Sequence, residues 1–229
     1  ALLFRFAGMG PSVHGGMRNR KSEIGPHRLG DLYLEMGAAR LLRLIRTKLH
    51  RGPYSFDDVA KVLDTTPAEL QADYGLPIAE SETPNPKSDE RLFRLKARAV
   101  HVVSEAARVE DGAIMMRKGD GKAFGAVMNA SHQSCRNNFE ISSPELDLLT
   151  KIARENGAVG ARLTGAGFGG CTVNLVHQQD VEAIKAKIIT RYYQKFLKRA
   201  YPDKHASYRN GAEVIFEFRA AAGADCLIA

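Results

Sequence analysis

Apolar positions in this chain follow a helical period through most of its length and switch to short, partly β-branched runs in two or three places. From Asp31 to Leu49, Leu34, Ala38, Leu41, Leu42 and Ile45 recur at helical spacing, which predicts a helix. Gly52-Pro53 closes it. Ser55-Phe56-Asp57-Asp58 and Thr66-Pro67-Ala68-Glu69 each set a hydroxyl three residues ahead of a carboxylate, the capping-box spacing. They predict two small helices, the first with Val59, Val62 and Leu63 inward, forming an insertion over about residues 55–75. Leu76 to Ser88, with Pro77, Pro84 and Pro86, reads as an exposed loop. The longest helix is expected over Asp89–Arg108, with Leu92, Phe93, Leu95, Ala99, Val102, Val103 and Ala106 as a broad apolar face.

Lys122–Arg136 reads as a helix with Phe124, Val127 and Met128 inward. Ser142-Ser143-Pro144-Glu145 opens another, carrying Leu146, Leu149 and Ile152 and stopping at Gly157. Strands are expected at Ala161–Thr164, Cys171–Val176 and Glu213–Phe218, with a helix over Asp180–Lys198 and a short β-like end at Cys226–Ile228. The fold class is therefore α+β, helices packed on a mostly antiparallel sheet. Glycines and prolines break any period in the first 27 residues, so residues 1–30 read as an irregular segment before one domain at 31–229.

Chemistry enters at the stretch Gly157–Val176, which holds six of the chain's 21 glycines. Thr164-Gly165-Ala166-Gly167-Phe168-Gly169-Gly170-Cys171 lies between two predicted strands. Glycine allows φ > 0 and a close approach of main-chain N–H groups to a ligand. Successive N–H groups in such a turn can form an anion-binding nest. The bland reading is a glycine-rich hairpin that binds nothing, because a short glycine pattern is a weak motif. A second candidate is the polar run Asn129-Ala130-Ser131-His132-Gln133-Ser134-Cys135-Arg136-Asn137-Asn138, which either faces a ligand or caps its helix. His101 and Glu105, four apart, read as an acid–base pair or as a core-edge histidine beside a surface carboxylate.

Composition narrows the classes. With 229 residues, 44% hydrophobic and 26% charged, the chain has the make-up of an ordinary globular protein with a sizeable core. No apolar run approaches the roughly 20 residues of a membrane span, and the apolar start is too short for a secretion signal, so a cytoplasmic location and no membrane partner are expected. Cys135, Cys171 and Cys226 form neither a metal pattern nor a disulfide framework and read as buried thiols. The net charge of +7 is scattered, without interleaved aromatics, so nucleic acid is not an expected partner.

Three stretches taken together resemble one family. Met128–Arg136, Ser143-Pro144-Glu145-Leu146-Asp147 and Gly160–Val173 are similar, in order, to the C-terminal half of galactokinases, members of the GHMP kinases. The similarity is strongest from about Arg91 to Val176 and looser from Tyr33 to the end; the two capped helices resemble the eukaryotic branch of galactokinases and N-acetylgalactosamine kinases. The resemblance implies a GHMP kinase C-terminal lobe and ATP-dependent phosphorylation of galactose at its C1 hydroxyl, with Mg. Its third motif corresponds to Leu163–Gly170, beside the phosphate loop. It implies ATP or substrate binding by Thr164, Gly165, Ala166, Gly167, Phe168, Gly169 and Gly170, and by Ser131 and His132. The family's sugar-binding signature and its serine-rich phosphate loop are absent here, and Gly8-Met9-Gly10-Pro11-Ser12 does not replace the latter. No catalytic or metal-ligating residue is therefore expected in this chain. The expectation is a C-terminal lobe needing the N-terminal lobe as a partner, with weak affinity for galactose and ATP alone. The alternatives are a galactose- and ATP-binding transcriptional sensor and an N-acetylgalactosamine kinase.

Overall fold

Helix α1, Leu29–Lys48, opens the part of the chain that the structure, a computed structural model, describes: residues 28–73, 93–209 and 214–219. Leu41 and Ile45 are fully buried as the helical period requires, yet Leu34 is 84% exposed. The cause is Gly37, at φ 73 and ψ 163, which breaks the helix and rotates the preceding turns. Leu29 and Leu32 turn inward instead. The ammonium of Lys96 donates to the carbonyls of Arg46 and Leu49, at 2.6 and 2.7 Å, neutralising the negative end of α1.

Both capped helices form: α2 at Phe56–Leu63 and α3 at Pro67–Asp73. In the first box, Ser55 Oγ accepts from Asp58 N–H while Asp58 accepts from Ser55 N–H, at 3.1 and 2.9 Å. Thr66 and Glu69 exchange the same two bonds at 3.2 and 3.1 Å. The insertion is closed at its ends, since Tyr54 and Phe93 pair reciprocally through their backbones at 2.9 and 2.7 Å.

Helix α4, Leu95–Arg117, is longer than expected and runs past Arg108 by more than two turns. Gly112 permits this, because it lets the ring of Phe124 from the next helix lie against α4. The residues before Phe93 in the expected helix, the loop at 76–88, the segment 1–27 and Cys226–Ile228 lie outside the described residues. Helix α5, Gly121–Ser134, does not stop at Arg136 but continues as a π-helical turn through Phe139. Helix α6, Pro144–Glu155, starts where Ser143 Oγ accepts from Leu146 N–H at 3.4 Å. Gly157, at φ 105, lies just past its end.

Strands β1, Gly160–Thr164, and β2, Cys171–Leu175, form an antiparallel hairpin with Thr164 opposite Cys171. Helix α7, Val181–Ile188, continues through a π-helical stretch to Leu197. The expected strand at Glu213–Phe218 is a correction: residues 214–219 are irregular. Ile215 packs on the core of α6 and α7, and Glu217 is held by Gln178 and Lys185, so this segment follows helical side chains and not a strand ladder. The described sheet is thus a two-stranded hairpin.

Two main cores result. One gathers α1–α4 around Leu41, Ile45, Tyr54, Val59 and Val103. The other gathers α6, β1 and α7 around Ile152, Ala161, Ile184 and Tyr192. Backbone contact joins α5 to β1: a Cβ on Gly160 would sit 2.6 Å from the Cα of Gly125.

Candidate functional site

The loop between β1 and β2 takes a conformation that only its glycines make accessible. Gly165, Gly167, Gly169 and Gly170 have φ of 82, 85, 140 and 85, and Phe168 joins them at 58. Gly167 is doubly required, because a Cβ there would overlap the carbonyl oxygen of Ile141 and lie 2.8 Å from that residue's own Cβ. The same carbonyl accepts from Phe168 N–H at 2.7 Å and pins the loop to the segment before α6. A non-glycine residue with positive φ is costly and tends to mark a site. Phe168 adds a ring that is 74% exposed. The N–H groups of Gly165, Ala166, Gly167, Gly169 and Gly170 make no backbone hydrogen bond among the described residues. Five open donors and Thr164, all on one short loop, can meet an anion.

Ser131 and His132 are not part of that surface. Both are buried, at 3% and 2% exposure. His132 Nδ1 accepts from Leu163 N–H at 3.3 Å, and its Nε2 meets Thr150 Oγ1 at 3.0 Å and Asp147 Oδ1 at 3.3 Å. Thr150 donates its own proton to the Leu146 carbonyl at 3.0 Å, so the network assigns the imidazole proton to Nε2. Burial pushes the His132 pKa below its ordinary value, against the pull of Asp147. The ring is a neutral bridge. One helical turn earlier, Asn129 Oδ1 accepts from Ala161 N–H at 2.9 Å. Two members of the polar run at the end of α5, Asn129 and His132, are therefore spent on β1. They occupy the backbone N–H groups on the edge of β1 that β2 leaves free, and so fix the strand that leads into the glycine loop.

Ser131 belongs to a separate network, donating to Glu105 Oε1 at 2.5 Å. Arg108 Nε donates to Glu105 Oε2 at 2.8 Å, and Arg162 Nη1 on β1 stands 3.7 Å from Glu105 Oε1. Burial raises the Glu105 pKa, but Ser131 and Arg108 outweigh it and the carboxyl stays below its usual range. His101 does not pair with Glu105. Its Nδ1 meets Ser134 Oγ at 2.9 Å and its ring stacks on Phe139. Cys135 is buried as expected, whereas Cys171, the first residue after the loop, is exposed. Among the described residues no group of three or more His, Cys, Asp or Glu side chains could hold a metal, and no helix is long and apolar enough to cross a membrane.

What the sequence left unmarked is the left-handed Phe168 and the row Asp147, Lys151 and Arg154 on α6. The row is readable in hindsight from its helical spacing.

The span that includes these residues is similar to known proteins. Residues 113–195 match the family described as GHMP kinases C terminal. Over 100 residues, 43% of this chain, the sequence is 46% identical to a galactokinase of Roseiflexus sp. and covers 26% of it. Over 166 residues it is 35% identical to a galactokinase of Dictyostelium discoideum, covering 31% of that protein. The chain thus spans about a third or less of these two relatives. A crystal structure of Lactococcus lactis galactokinase complexed with galactose aligns with 79% of this chain and 40% of its own, at 27% identity and a TM-score of 0.43. The matched region contains α5, α6, the hairpin and α7, and over it the chain is similar to the C-terminal family of GHMP kinases.

Proposed function

We propose that residues 31–229, with the insertion at about 55–75, are the C-terminal lobe of a galactokinase-type enzyme acting in the cytoplasm. The reaction is transfer of the ATP γ-phosphoryl group to the C1 hydroxyl of galactose. The single observation behind this reading is the glycine loop: five main-chain N–H groups without backbone partners among the described residues, on a turn locked by Ile141. Phosphoryl transfer depends on positioning and charge stabilisation, and N–H groups aimed at phosphate oxygens supply both. Thr164 and Gly165–Gly170 are the ATP-facing residues in this scheme. Ser131 and His132 are positioning residues, the latter holding β1 and hence the loop.

Mg is bound by carboxylates together with substrate phosphates. The loop contains no carboxylate, and no acidic cluster occurs among the described residues, so this part of the chain does not fit an Mg site. The sugar-binding and serine-rich phosphate-loop motifs are likewise not in this sequence. The chain alone is therefore expected to bind ATP weakly and to show no galactose-dependent ATP consumption in a coupled assay. Mixed with the remaining N-terminal portion of the Dictyostelium galactokinase, it is expected to form galactose 1-phosphate and to ignore glucose. Turnover by the chain alone, or equal use of glucose in the mixture, would overturn the reading.

A further inference from the structure

A second concave surface lies between α5 and α6, a cleft of roughly 330 Å³ that shares no residue with the glycine loop. Its charged wall is built by Arg136, Asp147, Lys151 and Arg154, with His132 at its base. Asp147, Lys151 and Arg154 fall at i, i+4 and i+7 on α6 and project from one face.

The charges in this cleft do not balance. Asp147 is already satisfied: its Oδ2 takes Arg136 Nε at 3.0 Å, and its Oδ1 takes Ser142 Oγ at 2.7 Å. Glu155 is engaged by Arg191 at 2.8 Å, and Lys151 reaches it only at 3.8 Å. Arg154 is half-buried, yet among the described residues no carboxylate lies within 4.0 Å of it. Among the described residues its one hydrogen bond is a long one, 3.4 Å, to the Ala161 carbonyl. A guanidinium offers five N–H donors, so most of these are unused. Burial lowers the Arg154 pKa, and the attraction of Asp147 and Glu155 does not offset it.

Basic side chains on a helix surface are ordinarily just solvated. The half-burial of Arg154 inside a concavity is what separates this cleft from that case. The cleft lining carries three cations, Arg136, Lys151 and Arg154, against one carboxylate, Asp147, an excess that matches a dianion in charge, and a planar guanidinium fork matches phosphate in geometry. A cavity of this size also suits a small metabolite.

We propose that the α5–α6 cleft is a phosphate-binding site, for free phosphate or the phosphate group of a small metabolite, with Arg154 and Lys151 as its charge partners. The site is independent of the kinase reading, since it uses none of the glycine-loop residues.

The test is a titration of the full chain with inorganic phosphate and, separately, a hexose phosphate, at ionic strength held constant with chloride. Backbone amide shifts and the unfolding midpoint are both followed. Saturable binding is expected, with the largest shifts at residues 147–154, and at least a tenfold loss of affinity in the Lys151→Gln/Arg154→Gln double variant. The single variant Lys151→Gln, at an exposed position, serves if the double variant does not fold, with a severalfold loss expected. Tighter binding of the hexose phosphate identifies a metabolite as the ligand, and equal binding identifies free phosphate; both support the site. Shifts confined to 164–171, unchanged affinity in the variants, or no saturation would overturn it. Non-specific stabilisation by phosphate would raise the midpoint of wild type and variants alike and would count against it.

Discussion

His132 shows at the scale of one residue how a polar side chain inside a core becomes a structural part. Its neutral form accepts from Leu163 N–H and donates through Nε2, so a second ring proton would break the first of these bonds. His101 is in a similar state, with burial lowering its pKa against the pull of Glu105. Both folded-state values lie below the ordinary 6.5. In the unfolded chain these imidazoles take up protons near pH 6.5, whereas the folded chain resists until lower pH. Their contribution to stability is therefore complete above about pH 6.5 and is lost as pH falls through the window below it. Imidazole resonances of His101 and His132 followed by NMR are expected to titrate below 6.5. A midpoint at or above that value for either ring would refute the neutral, buried assignment. The identity of His132 as a special residue was visible in the sequence, but its role was not. The pairing that explains it joins residues 31 apart, and no local pattern shows which strand a helical side chain will meet.

Among elements, the contact that matters most for the candidate site is α5 against β1. Gly125 and Gly160 let helix and strand approach until their backbones touch, and that distance brings Asn129 and His132 within reach of Ala161 and Leu163. Gly160→Ala would force the two elements apart by the width of a methyl group. Overpacking of this kind costs about 1–3 kcal/mol, and the loss of the two side-chain bonds adds to it. We expect a fall in the denaturant midpoint of that order together with faster exchange of the Ala161 and Leu163 amides. A variant with wild-type exchange at those amides would show that the close approach is not what positions them. Element boundaries were legible wherever a local device sets them. Ser55, Thr66, Ser143 and Gly157 all marked real ends. Boundaries set by tertiary packing were not legible: the π turn after Ser134, the extension of α4 beyond Arg108, and the absent strand at 214–218 depend on partners far away in sequence.

At the level of the whole molecule, the apolar interior is divided. The core of α1–α4 and that of α6, β1 and α7 meet through α4 and α5, whose shared face carries the bonds His101–Ser134 and Ser131–Glu105. Removing atoms from one core should therefore be felt unequally. Leu41, fully buried on α1, is a suitable probe. A Leu→Ala change in a core costs about 2–5 kcal/mol. In Leu41→Ala, hydrogen exchange is expected to accelerate across α1, α2 and the first turns of α4, while amides of β1 and α6 keep most of their protection. Uniform acceleration would mean that the two cores unfold as one unit. The α+β class and the place of the glycine loop were legible from periodicity and glycine spacing. The division into two cores was not, because periodicity reports which face of a helix is buried and not against what.

The arrangement on β1 has a further consequence. An edge strand with open N–H groups is a template on which another chain can add a strand and begin to aggregate. Proteins often guard such edges with a lysine, a proline or a bulge. Here the guard is a helix: Asn129 and His132 occupy the donors of Ala161 and Leu163, the groups an incoming strand would need. Because alternate residues of a strand face opposite sides, a slip of one residue would present neither donor to these acceptors. The helix therefore acts as a ruler as well as a guard, fixing the register of the strand before the glycine loop turns.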